Sequence, residues 1–163
     1  MDKIELKQLV ERYVREQINT LIEYAYHRKD FISRVEFIIK PIITHYCLIR
    51  YAQTTNTHQE YINHWLSEIH GWMKSLMEMD LKDDNKPNKR YKAIIQALNN
   101  KDYLTNISKI EYCVIDKAVS ENIDTDTKVF YDIMIQCQND LELIANFIAN
   151  KDLIGFNRFI KTF

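Results

Sequence analysis

Residues 31–52, FISRVEFIIKPIITHYCLIRYA, decide the fold of this chain. Apolar side chains recur at helical spacing along one face of this stretch, while Phe37 and Leu48 place apolar side chains on the opposite face. A helix that is apolar on every side belongs in the middle of a helical bundle. Pro41 lacks a backbone donor and clashes with the preceding turn, which predicts a kink or a break inside this helix.

Amphipathic helices are predicted on both sides of this central segment. Residues 3–28 carry an apolar stripe at the 3.6-residue period with charges opposite, formed by Leu6, Leu9, Val10, Tyr13, Val14, Ile18, Leu21, Ile22 and Ala25. Thr57 and Glu60 form the pattern of a capping box that opens a third helix, ending near Met79. A shorter helical pattern follows near residues 91–98, and further ones lie near 102–122, 126–150 and 152–163.

No strand-like alternation competes with these helical periods, so the sequence predicts an all-α fold. We expect an irregular antiparallel bundle of six or seven helices around a central, Pro-kinked apolar helix, forming a single helical domain over residues 1–163. A Lys-Asp pair recurs at 29–30, 101–102 and 151–152, each time between two helical patterns. Lysine there favours the end of one helix and aspartate the N-cap of the next.

The composition restricts the classes of partner. The chain has 163 residues with 22 Lys and Arg against 23 Asp and Glu, so its near-zero net charge gives no general electrostatic argument for binding nucleic acid or an anionic membrane. No apolar run approaches the roughly 20 residues of a membrane-spanning helix. The charged N-terminal residues lack the apolar region of a secretory signal. We therefore expect a cytoplasmic protein without a membrane partner.

The scarcity of glycine argues against the most recognisable enzyme motifs. Gly71 and Gly155 are the two glycines, and both lie inside helical patterns. Phosphate-binding loops, dinucleotide folds and nucleophile elbows need glycine where the backbone approaches a ligand or adopts positive φ. Three widely spaced cysteines without a CxxC motif argue against a disulfide framework or a zinc module, and fit a reducing compartment.

The histidines do not have the spacing of a metal site. His58, His64 and His70 recur every six residues, and steps of about 600° scatter them around a helix. Cys47 lies two residues from His45, so their side chains point about 200° apart on a helix. We expect no metal, no cofactor and no Cys–His catalytic pair, although helical bundles also build sites from residues distant in sequence.

The segment 51–73 has the composition of an interface. It contains no Lys or Arg, and it includes Tyr61, Trp65 and Trp72. Interface cores are depleted in charge and enriched in aromatic residues. This segment therefore predicts contact with another protein or with a second copy of the chain. The alternative is that the same aromatic side chains fill the core of a monomer.

Two charged regions suggest further contacts. Residues 116–142 carry seven acidic side chains against Lys117 and Lys128, and such a face suits either a basic partner or plain solvent. The predicted acidic contact residues are Glu121, Asp124 and Asp126. A basic cluster of the loop 86–92 suits phosphates, although three aspartates lie just upstream, and its cations are Lys86, Lys89, Arg90 and Lys92.

These observations favour a non-enzymatic protein–protein interaction module. A small regulator, an inhibitor or an immunity-type factor of this kind acts through its surface, here the charge-poor aromatic segment and the acidic face. The alternative is a nucleic-acid-associated regulator that binds through the basic loop 86–92. Its binding to nucleic acid would weaken steeply with added salt.

Overall fold

A computed structural model of the chain describes residues 2–28, 30–81, 84–121 and 127–161, with the side chains of 19–28 and 127 outside the description. Within these ranges it contains helices and no strands, which confirms the all-α helical prediction. The helices are α1 (Lys3–Arg28), α2 (Phe31–Thr55), α3 (Gln59–Met77), α4 (Pro87–Asn100), α5 (Ile107–Ser120), α6 (Thr127–Ala149) and α7 (Leu153–Lys161).

The chain divides into two compact units, Met1–Asp30 and Phe31–Phe163. The first unit consists of α1, and the second contains α2 to α7. The prediction of a single domain over residues 1–163 stays a prediction.

In the second unit, α2 packs against α3, α4, α5 and α6. Apolar side chains on opposite faces of α2 are fully buried, as Ile42 and Leu48 show. Phe37, which the sequence predicts on the same buried side as Leu48, is instead 55% exposed near the start of the helix, so the prediction of a helix buried on every side is wrong at this position. The helix runs without a break through Pro41, so the predicted division does not occur, and the predicted kink stays a prediction. Packing on several sides stabilises a helix that local propensity alone would interrupt.

The C-terminal ends of α4 and α6 have the same backbone motif, but the motif falls on different residues of the Asn-Lys-Asp sequence at each end. Asp102 has φ 59° after α4, and the N–H of Tyr103 donates to the Leu98 carbonyl at 3.0 Å. Lys151 has φ 54° after α6, and the N–H of Asp152 donates to the Phe147 carbonyl at 2.8 Å. Both ends are Schellman motifs, in which one left-handed residue terminates the helix. The left-handed residue is therefore aspartate in one Asn-Lys-Asp sequence and lysine in the other.

The position of the left-handed residue decides whether the aspartate of each Asn-Lys-Asp sequence can cap the helix that follows. Asp152 accepts a bond from the N–H of Gly155 at 2.8 Å at the start of α7, as predicted. Asp102 is itself the left-handed residue, and Asn106 caps α5 instead, accepting from the N–H of Ser108 at 3.0 Å. The predicted cap at Asp102 is wrong, and α5 begins at Ile107. Lys29 of the first Lys-Asp pair lies outside the described residues.

The predicted capping box of α3 is also wrong. His58 is the N-cap residue, with φ 51° and no side-chain cap. The Thr57 hydroxyl lies instead 2.6 Å from that of Thr55, and the Thr57 N–H donates to the Ala52 carbonyl at 3.1 Å. Both the hydroxyl and the backbone N–H of Thr57 therefore bond to residues of α2, in the turn that follows this helix. The Thr57 side chain does not cap α3.

Candidate interaction surfaces

The apolar stripe of α1 is the largest exposed feature of the first unit. Asp2 caps this helix by accepting a bond from the N–H of Glu5 at 2.8 Å. Six apolar side chains of one face are 42–62% exposed, and we call them the α1 stripe: Leu6, Leu9, Val10, Tyr13, Val14 and Ile18. Ile4 beside them is 70% exposed. The predicted stripe members Leu21, Ile22 and Ala25 have side chains outside the description.

The aromatic residues of α3 divide between core and surface. Trp65 is 1% exposed and lies on the buried face of α3 with Ile69 and Met73. For Trp65, this agrees with the alternative in which the aromatic side chains fill the core of a monomer. The ring of Tyr61 stacks on that of Trp65 at a centroid distance of 5.5 Å, and Tyr61 is 39% exposed. Trp72 is half-buried beside a shallow depression of about 300 Å³. Trp65 is therefore not available to a surface partner, whereas Tyr61 and the edge of Trp72 are.

Glu121 joins the aromatic pair to α5. Its Oε2 accepts a hydrogen bond from Nε1 of Trp65 at 2.9 Å, and its Oε1 lies 2.9 Å from Nζ of Lys117. Burial by itself raises the pKa of this carboxyl, but the bonds from Lys117 and Trp65 lower it below the usual value. Three predicted contact residues thus meet in the fold, as Tyr61, Trp65 and Glu121. Asp124 and Asp126 lie outside the described residues.

The predicted basic loop 86–92 is not a loop, because α4 begins at Pro87 and only Lys86 precedes it. The segment contributes three exposed cations rather than four. Lys86, Lys89 and Lys92 are exposed, while Arg90 is 1% exposed. The Arg90 guanidinium donates to the carbonyls of Leu76 at 3.1 Å, Ala149 at 3.2 Å and Met79. These carbonyls lie at or just after the ends of α3 and α6, where helix carbonyls lack helical partners. Arg90 therefore bonds to helix ends inside the fold, and its guanidinium is not part of the exposed basic surface.

A groove of about 450 Å³ lies between α2 and α5. Its walls include Pro41, Thr44, Tyr112 and Lys117, and His45 lies at its base. Nδ1 of His45 donates to the Pro41 carbonyl at 2.6 Å, which leaves Nε2 without a proton while the ring is neutral. Burial lowers the pKa of His45, the bond to Pro41 opposes that shift, and Lys117 adds to it. The ring is therefore neutral at neutral pH.

The cysteines do not have the environment of nucleophiles. Cys47, Cys113 and Cys137 are free and buried. Burial raises the pKa of Cys113 and, more strongly, that of Cys137. A thiol held protonated in this way is a poor nucleophile. Among the side chains that the structure describes, no group of three His, Cys, Asp or Glu residues is placed to hold a metal ion.

None of the helices in the described parts of the chain is both long enough and apolar enough to cross a membrane. Comparison with protein-family models, with curated proteins and with solved structures finds no match to this chain. The chemistry of the exposed surfaces is therefore what indicates a function.

Proposed function

We propose that this chain is a non-enzymatic protein–protein interaction module and that the α1 stripe is its main contact face. The observation that supports this proposal is the exposure of six apolar side chains on one face of one helix, at 42–62% each. Scattered exposed apolar residues are ordinary on protein surfaces. A contiguous row of them on one helix face is typical of an interaction site.

The free energy gained by covering an exposed apolar helix face supports the same proposal. Helices gain most of their stability from packing an amphipathic face, and nucleation is costly. About half of the surface of six side chains amounts to roughly 500 Å² of apolar area. Removing this area from water contributes on the order of 10 kcal/mol before the cost of association. A partner that covers the α1 stripe therefore stabilises the helix and gains affinity from the same contacts.

The charges of α1 favour a protein over a membrane surface. Helices that lie on membranes have polar faces rich in Lys and Arg, which attract anionic lipids. In α1 the acidic side chains nearly balance the basic ones, with Glu5, Glu11, Glu16 and Glu23 against Lys3, Lys7, Arg12, Arg15 and Arg28. Such a helix has little electrostatic attraction to an anionic bilayer.

Part of the predicted aromatic surface extends the proposed contact region to α3. Tyr61 and Trp72 present partly exposed rings, and Glu121 presents a carboxylate already paired with Lys117. Small regulators, inhibitors and immunity-type factors use surfaces of this kind, and we propose this chain as a member of that functional class. The α1 stripe ranks first because its apolar area is larger and more continuous.

Position-specific photo-crosslinking in the native host tests this proposal. A photoreactive phenylalanine analogue replaces Tyr13 in the α1 stripe, and the same analogue replaces Gln8 on the opposite face as the matched control. We expect a discrete polypeptide adduct from position 13 that is absent from position 8. The adduct should disappear when Val10→Glu and Val14→Glu are added.

The other outcomes overturn the proposal. Equal adducts from positions 13 and 8 would show that the stripe has no preferred role. Absence of any polypeptide adduct, together with lipid adducts at position 13, would replace the protein partner with a membrane surface.

A further inference from the structure

We infer that the groove between α2 and α5 binds a small hydroxylated aromatic acid, which places its hydroxyl group on His45 and its carboxylate beside Lys40. This inference goes beyond the proposed function, because the groove belongs to the second unit and does not include the α1 stripe. Three observations support it: an open acceptor nitrogen at the base of the groove, a cation outside the described ion pairs at its rim, and apolar walls.

The base of the groove carries a hydrogen-bond acceptor that the fold leaves open. His45 is 7% exposed, and its Nδ1 donates to the Pro41 carbonyl at 2.6 Å. Among the described residues, Nε2 of the same ring has no hydrogen-bond partner, and it is not one of the polar side-chain atoms closed off from solvent. Buried polar groups nearly always have a partner. Since the groove is the opening that His45 lines, we expect a molecule bound there to supply that partner.

The protonation state of His45 determines which group it binds. Burial lowers the pKa of His45, so the ring is neutral at neutral pH and Nε2 accepts a hydrogen bond. The ligand must therefore supply a donor. No carboxylate of the described residues bonds to His45, so an ammonium group there would be a buried charge without a partner, which is costly. A hydroxyl group donates without bringing a charge.

A cation at the rim of the groove is available to an acid. Nζ of Lys40 lies 5.0 Å from the centroid of the Tyr112 ring and takes part in none of the ion pairs of the described residues. Lys117 also lines the groove, but its ammonium group is paired with Glu121 at 2.9 Å. Asp116 is a lining residue that opposes an anion. We therefore place the carboxylate of the ligand at Lys40, with Asp116 limiting the affinity.

The two anchoring groups are separated along the groove. Lys40 and His45 lie five residues apart on α2, which corresponds to about 7.5 Å along the helix axis. Pro41 and Tyr112 line the groove with apolar surface, and its volume is about 450 Å³. Small-molecule sites are of this size and combine apolar walls with a few polar groups that fix the orientation. The arrangement suits a flat apolar body with a hydroxyl group and a carboxylate at opposite ends, as in 4-hydroxybenzoate.

Calorimetric titration of the full chain with 4-hydroxybenzoate tests the inference. We expect saturable binding with a dissociation constant of about 1 mM or below, which is ordinary for a ligand of about ten non-hydrogen atoms. Benzoate lacks the hydroxyl donor, and 2-hydroxybenzoate carries it next to the carboxylate. Both should bind about 10-fold more weakly, because the bond to His45 is lost.

Variants of the two anchoring residues separate their contributions. His45→Phe keeps a ring but removes the acceptor, and should bind 4-hydroxybenzoate and benzoate equally. Lys40→Met removes the cation and should weaken both ligands by about 3-fold to 5-fold. The matched controls His64→Phe and Lys92→Met change exposed residues of α3 and α4 outside the groove, and should leave the affinities unchanged. Circular dichroism checks that each variant is folded.

The other outcomes overturn the inference. The first is the absence of saturable binding of 4-hydroxybenzoate below about 10 mM. The second is an equal affinity of the wild type for the three acids, which would remove His45 as an anchor. The third is a preference for the 4-hydroxyl group that survives in folded His45→Phe, which would place the site elsewhere. If His45→Phe does not fold, the preference of the wild type among the three acids decides.

Discussion

Helices α1 and α3 have similar sequence patterns and opposite environments. Each carries apolar and aromatic side chains on one face at helical spacing, with polar residues opposite. In α3 this face packs against α2, and Trp65, Ile69 and Met73 are buried. In α1 the corresponding face is 42–62% exposed. An amphipathic pattern therefore predicts that one face of a helix is covered, but it does not identify the surface that covers it.

The position of charge relative to the apolar face distinguishes the two helices. Segment 51–73, which includes most of α3, contains no Lys or Arg, so no cation needs to remain in water when its neighbours pack around it. In α1, Lys7 and Glu11 lie directly beside the stripe and are exposed. Such flanking charges are tolerated at the rim of an interface but are costly in a core. The charge pattern of α1 therefore agrees with the contact face proposed for it.

Matched truncations of the two helices should give the largest difference in stability. Trp65→Ala removes a fully buried indole and its bond to Glu121, and should lower the free energy of unfolding by about 4 kcal/mol. Tyr13→Ala in the α1 stripe should lower it by less than about 0.5 kcal/mol at protein concentrations where the chain is monomeric. Urea denaturation followed by circular dichroism measures both. Equal losses in the two variants would contradict the difference in exposure between Trp65 and Tyr13.

The two cations Arg90 and Lys89 allow the same comparison between adjacent residues. Arg90→Met leaves the carbonyls at the ends of α3 and α6 without their donor and should lower the free energy of unfolding by about 3 kcal/mol. Lys89→Met changes an exposed cation and should have an effect within about 0.5 kcal/mol. Thermal and urea unfolding of both variants check this. Reduced affinity for nucleic acid in Arg90→Met without loss of stability would restore the basic-loop alternative.

His45 gives the second unit a dependence of stability on pH. Its folded pKa lies below the ordinary 6.5, so the unfolded chain binds a proton that the folded chain does not. The free energy of unfolding is therefore complete above pH 6.5 and falls as the pH decreases below it, by at most about 1.4 kcal/mol per pH unit from this group. Denaturation of wild type and His45→Gln at several pH values measures the difference. An identical pH slope in both would remove this assignment.

Helical periodicity predicted the elements well, because the spacing of apolar residues reports directly on which face is buried. The bounds of α1 agree with the sequence prediction. The start of α4 does not, because the helix begins at Pro87 rather than near residue 91, with the proline at the first helical position, where its missing N–H costs nothing. The caps were less predictable. Asp102 and Asp152 occur in the same Asn-Lys-Asp sequence, and only the backbone shows which residue of each is left-handed.

The surfaces were predicted less completely than the helices. Arg90 has basic neighbours in the sequence, yet it shares the buried face of α4 with Ile94 and Leu98 at four-residue spacing. That spacing is the sequence signal for a buried arginine. Periodicity predicts the α1 stripe, but it carries no information about how far the side chains of the stripe are exposed.

Thiol labelling of a Val14→Cys variant tests the central claim most directly, because the three native cysteines are buried and the new one lies in the α1 stripe. The rate of reaction with a maleimide is measured for the purified chain at low concentration and for the chain in a lysate of the native host. The account predicts rapid labelling of the purified chain and protection of the same cysteine in the lysate. Labelling that is slow in both, or equally rapid in both, would contradict it.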